Sequence, residues 1–141
     1  MAQFYDSGTV VTSQVLQAAL AKGISPAIAI NNYEELTLLV AYTRGGAAGS
    51  IQYQVQFSLD ALTWYAATQF EAAAIVAGSD VNIASQKANI VYVATSASQE
   101  LVTSVTFTVI GNFFRVIFGE LGNAGAPGTA EIKYYLRGTQ T

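Results

Sequence analysis

The chain of 141 residues contains no cysteine and no histidine. The first absence excludes disulfides, thiolate nucleophiles and thiolate metal sites. The second excludes an imidazole base, a Ser-His-Asp relay and a histidine switch near neutrality. Zinc, copper or non-haem iron would have to rely on carboxylates alone, which those metals seldom accept. No catalytic residue, metal or cofactor is therefore expected. Charge is scarce as well: 11 % of residues carry it, against roughly 25 % in an ordinary soluble domain. The six basic residues, Lys22, Arg44, Lys87, Arg115, Lys133 and Arg137, are dispersed. They form no footprint for nucleic acid, so none is expected as a partner. The N-terminus lacks a basic segment leading into an apolar run, and no stretch reaches the ~20 apolar residues of a membrane span. Neither a leader nor a membrane partner is expected.

What is present is apolar: 52 % of the residues are hydrophobic. With no membrane to receive them, they point to a generous core and to contacts with other protein. The dominant period is two. Ile51, Tyr53, Val55 and Phe57 alternate with Gln52, Gln54, Gln56 and Ser58, as in a half-buried strand. Val105, Phe107 and Val109 alternate with Ser104, Thr106 and Thr108; Ile132, Tyr134 and Leu136 do so with Glu131, Lys133, Tyr135 and Arg137. Leu36 to Tyr42 is apolar on both faces, as a central strand would be, and so is Asn112 to Phe118. Shorter strands are read at Ala27 to Ile30, Thr63 to Phe70, around Ile83 and at Asn89 to Ala94. Thr63 to Phe70 should pair back on the Gln-faced strand.

Turn residues break the chain at 44–50, which has the composition of a hairpin loop, and at 60–63, 77–80 and 122–128. Pro26 and Pro127 stand where strands should begin. Residues 15–22 fit a helix or a strand, and residues 71–77 fit two helical turns. The fold class is all-β: an antiparallel β-sandwich, jelly-roll-like, with at most one short helix. Residues 1–24 read as an N-terminal arm or entry segment and residues 25–141 as the sandwich domain. Phe4, Tyr5, Val10 and Val11 give the arm apolar side chains to clasp a neighbour.

Candidate sites are few. Glu34 and Glu35 are adjacent, so a strand sends them to opposite faces and they cannot act on one bond together. Asp60 is a turn former. Asp80 and Asn82 have the spacing of two calcium-loop ligands, but the glycine and distal glutamate of such a loop do not follow. Arg115, flanked by Phe113, Phe114 and Phe118, reads as a structural residue paired to a carboxylate or stacked on an aromatic ring. Trp64 and Tyr65 read as core or interface residues; exposed, they and Tyr92 would suit a sugar ring. Whether Gln52, Gln54 and Gln56 face water or a partner is open at this level.

Phe57-Ser-Leu-Asp-Ala-Leu-Thr-Trp-Tyr65 resembles a strand–turn–strand pattern Ser-x-Asp-Gly-x-x-Trp, with Ala61 in place of the glycine. Phe113-Phe-Arg-Val-Ile-Phe118 resembles the aromatic-x-Arg-Val strand that follows it. Together with the strands at 25–30 and 35–43, the layout is similar to small β-sandwich structural proteins of tailed-phage virions, among them capsid decoration (cement) and tail-associated proteins. A weaker similarity is to discoidin-like sandwiches, many of which bind carbohydrate. The first resemblance implies a non-enzymatic virion protein that stabilises the shell as a homo-oligomer, a trimer foremost, bound to the major capsid protein or other virion proteins. Its location would be the virion, and the host cytoplasm during assembly. The alternative is a carbohydrate-binding module or receptor-binding tail component. In both families Trp64 and Arg115 would be fold residues.

Overall fold

Alternation of apolar and polar side chains makes each long strand a two-faced ribbon, and two such ribbons of sheet can close over one core. The computed structural model describes residues 2–16, 23–46, 49–67, 69–70, 86–87, 90–93, 100–122 and 125–140. Among these the regular elements are all strands. In chain order they are β1 (Ala2–Val15), β2 (Gly23–Ile24), β3 (Ile28–Ala29), β4 (Glu35–Thr43), β5 (Ser50–Ser58), β6 (Tyr65–Ala66), β7 (Gln69–Phe70), β8 (Gln86–Lys87), β9 (Ile90–Val93), β10 (Glu100–Thr108), β11 (Phe113–Leu121) and β12 (Thr129–Gln140).

The first sheet has the order β1-β12-β4-β10. The second has the order β2-β11-β5-β6, with β3 also on β11 and β9 also on β5. Both are antiparallel throughout. Because β2 and β3 share one edge of β11, and β6 and β9 share the far edge of β5, the second sheet is also four positions wide. The first strand pairs with the last, and the chain passes repeatedly from one sheet to the other. This is the strand order of a jelly roll. A separate pair, β7 with β8, completes the described strands.

The core lies between the inward faces. The first sheet supplies Leu36, Leu38, Val40, Tyr42, Ile132 and Leu136; the second supplies Ile51, Tyr53, Val55, Phe57, Phe114 and Val116, all at most 1 % exposed. Each such side chain stabilises the fold by roughly 1.5–3 kcal/mol through burial. Phe114 and Tyr134 meet edge to face across the sandwich, 5.4 Å between ring centres.

Three readings of the sequence change in detail. β4 is central, between β12 and β10, but it is buried on one face; Leu39, on the other, is 44 % exposed. An apolar outward face in the sequence here means an open sheet surface. Residues 44–49 do not close a hairpin, because β4 and β5 belong to different sheets. Gly45 is needed there: a Cβ on it would stand 2.1 Å from the carbonyl oxygen of Pro127, so the two crossing loops touch backbone to backbone.

Residues 2–15, read as part of an arm, are placed as β1, paired with β12 of the same chain from Ala2–Gln140 to Val15–Thr129. Register shifts lie between Thr9 and Val11 and between Val11 and Gln14. The first irregularity lets the adjacent Val10 and Val11 both turn inward, which a regular strand forbids. The expected alternating strands agree with those at 50–58, 100–108, 113–121 and 129–140. The strand read at 63–70 is split: β6 pairs back on β5, whereas β7 pairs with β8. Of the stretch 15–22, read as helix or strand, Val15 ends β1; its residues 17–22, the helical reading at 71–77 and the strand around Ile83 lie outside the described residues.

Candidate functional site

The turn between β5 and β6 is built by Ser58 and Asp60. The buried Ser58 Oγ accepts the backbone N–H groups of Asp60 and Ala61 at 3.2 and 2.9 Å. Asp60 Oδ1 accepts the N–H groups of Thr63 and Leu62 and the Ser58 hydroxyl. Those donors, Thr63 first, hold the Asp60 carboxyl below its ordinary pKa. Ala61 takes a left-handed conformation, φ 62°, at the position where the resembling pattern has glycine. The hydrogen-bonded frame imposes that backbone on a residue with a Cβ. Ala61→Gly should therefore stabilise the chain by about 1 kcal/mol in a urea melt.

Beyond the turn, sequence-distant residues meet. The Arg115 guanidinium lies over the Trp64 ring, 4.3 Å from its centre, and Arg115 Nε donates to Gln56 Oε1 at 2.8 Å. Arg115 is thus a stacked structural arginine. Trp64 is half-buried beneath it, so that ring face is taken. Asn112 Nδ2 donates to the carbonyl of Leu59 and its backbone N–H to that of Ser58. This brings the 109–112 loop beside the turn. The tip so formed leaves Leu62 83 % exposed, with Leu59, Ile110 and Tyr65 each at least 60 % exposed.

The two outer faces of the sandwich differ. On the second sheet Gln52, Gln54 and Gln56 are half-buried, and Ile117, opposite Gln54, is buried. On the first sheet Leu39, Val102, Tyr5 and Tyr135 are exposed. Tyr5 stacks on Tyr135 at 5.5 Å. Two ion pairs lie on this face: Arg137 with Glu35 at 2.9 Å and Lys133 with Glu131 at 3.7 Å. A depression of about 450 Å3 crosses it, lined by Ser7, Thr9, Thr37, Leu39, Lys133 and Tyr135 among others.

A third feature was not anticipated from the sequence. Glu120 is 1 % exposed on β11. Its Oε2 accepts the Tyr42 hydroxyl at 2.5 Å, and both its oxygens take up the Gly128 N–H, at 3.0 and 3.1 Å. The Gly128 carbonyl in turn accepts the Leu16 N–H at 2.9 Å. Arg44, also buried, donates from Nε to the Gly46 carbonyl and acts electrostatically on Tyr42. A Cβ on Gly128 would meet the Thr43 carbonyl oxygen at 2.5 Å and Glu120 Oε2 at 2.6 Å, so only glycine fits. The cluster locks β4 and the β11–β12 loop of one end to β11 of the opposite sheet. The signal for it was a lone glutamate inside an apolar strand.

Burial, then the hydrogen bond and negative charge of Glu120, push the Tyr42 pKa above that of free tyrosine, opposed by Arg44. Burial, with Asp6 and Tyr33, also raises Tyr134. For an acid whose folded pKa exceeds its unfolded value near 10, the stabilisation is complete below pH ~10 and is lost as pH rises above it. Urea midpoints should therefore fall between pH 9 and 11.5, and less steeply in Tyr42→Phe.

The other candidates separate. Val10 and Val11 are in the chain's own core, whereas Phe4 packs on Tyr33 at 5.1 Å and Tyr5 lies on the first sheet's outer face. Glu35 meets Arg137 and Glu34 accepts from Thr139, so the adjacent carboxylates have different partners. Tyr92 is on β9, at the register position opposite Ile51. Asp80 and Asn82 lie outside the described residues. Among the described residues no group of three or more acidic side chains could hold a metal ion. Among them, too, no helix is long and apolar enough to cross a membrane.

No protein-family model and no curated protein matches the chain. Among solved structures, the SPBc2 prophage-derived protein YomS aligns over 97 % of this chain and 96 % of its own, with a TM-score of 0.52 at 13 % identity. A chain of the disulfide-linked pili formed by Bacillus endospore appendages aligns over 100 % and 93 %, with a TM-score of 0.41 at 17 % identity. The chain shares its fold, along nearly its whole length, with the prophage-derived protein.

Proposed function

We propose that this chain is a non-enzymatic structural protein of a tailed-phage particle: a capsid decoration (cement) protein that acts as a homo-oligomer, a trimer foremost. The observation that carries the reading is the pairing of low charge with uncovered apolar side chains. Leu59, Leu62 and Ile110 at the tip, and Leu39 and Val102 on the first sheet, stand in water on a sandwich that has already filled its core. Side chains placed this way gain free energy by leaving water, as they do when docked on protein. The absence of histidine and cysteine supports adhesion rather than chemistry as the mechanism. The matching fold of a prophage-derived protein supports the phage setting. Contacts made to the assembled shell and not to its free subunits stabilise it by mass action. Purified chain added to particles that lack it should bind them and raise the temperature at which DNA is released. Particles that neither bind the chain nor gain heat resistance would overturn the decoration role.

A further inference from the structure

The tip and the depression in the first sheet are two surfaces of complementary kind. The tip projects Leu59, Leu62 and Ile110, and the one charge in its two loops is Asp60. That carboxylate is held ionised by the turn, so the tip is apolar with a single negative charge. The depression, about 450 Å3, is wide enough for two or three aliphatic side chains, and its one charge is Lys133. Lys133 is only loosely engaged by Glu131, at 3.7 Å. The depression's side chains offer hydroxyls, from Ser7, Thr9, Thr37, Tyr134 and Tyr135, but no carboxylate or amide, the paired acceptors that fix a sugar. Its chemistry suits aliphatic side chains carried by protein.

The two surfaces also lie on different parts of the molecule. The tip is at the β5–β6 end and the depression is on the sheet's flank, so one copy cannot satisfy itself. We infer that the tip of one copy seats Leu59 and Leu62 in the first-sheet depression of a second copy, with Asp60 facing Lys133. Such a contact is heterologous: it joins unlike surfaces and closes into a ring, a trimer among the options, or runs on as a filament. A contact made by two short loops in this depression covers less than the ~1,000 Å2 over both partners that a stable specific contact needs. The association is therefore weak and concentration-dependent, and multiplied by the number of copies on a surface. This inference rests on the reading of the chain as an assembly protein.

Complementation tests it. Leu62→Asp spoils the tip and leaves the depression; Leu39→Lys fills the depression and leaves the tip. Both positions are exposed, and an unchanged urea midpoint verifies folding; Thr9→Arg replaces Leu39→Lys should that variant not fold. In sedimentation velocity the unmodified chain should form oligomers as concentration rises. Each variant alone should associate about thirtyfold more weakly or worse, as for loss of a central contact residue. An equimolar mixture should form a one-to-one dimer and stop there, because it holds one intact tip and one intact depression. Variants that assemble like the unmodified chain, or a mixture that stays monomeric, would overturn the inference. So would an unmodified chain that is monomeric at every concentration, leaving the depression to a different protein. A monomer found in phage particles would remove this contact and keep the virion role; an oligomer missing from particles would do the reverse.

Discussion

Replacing Glu120 by alanine should cost about 3–5 kcal/mol of folding stability, the largest loss expected from a single side chain outside the aromatic core. The substitution strands two partners at once. The Tyr42 hydroxyl and the Gly128 N–H lose their acceptor in a site sealed from water. Tyr42→Phe removes one donor and leaves the carboxylate its Gly128 contact, so about 1–2 kcal/mol should go. The two changes should be strongly non-additive, because both break the same bond. Urea denaturation of the two single variants and the double variant measures this. Additive losses would show that the cluster is not one unit.

Removing β1 should have a greater effect still. Deletion of residues 2–15 takes away the strand that covers β12 and withdraws Val10 and Val11 from the core. The two valines alone account for roughly 3–6 kcal/mol of burial. A small domain has only about 5–15 kcal/mol in total, and β12 would become a bare edge. The truncated chain should lose its near-ultraviolet circular dichroism and expose surface that binds a hydrophobic dye. A detachable arm would give the opposite result: an unchanged unfolding midpoint and loss of assembly alone.

The long strands were legible because their faces differ. Gln52, Gln54 and Gln56 against Tyr53, Val55 and Phe57 allow one register only, and the structure adopts it. β1 was illegible for a matching reason. Its polar and small residues give weak alternation, and two register shifts break what period there is. The loop at 44–49 has hairpin composition, but composition does not say whether two strands share a sheet. The Trp64–Arg115 stack was half visible: each residue was singled out, and 50 intervening positions hid that they meet. The Tyr42–Glu120 cluster left one signal, a lone glutamate in an apolar strand, because its parts lie on β4, β11 and the loop before β12 and become neighbours only when the sandwich closes. The exposed leucines of the tip were not singled out, since exposure depends on which loops end up side by side.

A count of this chain in purified phage particles, by quantitative mass spectrometry against the major capsid protein, decides whether it decorates the shell. A decoration protein should be present in fixed ratio to the capsid subunit, as a whole number of chains per lattice site. Its complete absence from intact, infectious particles would contradict the account.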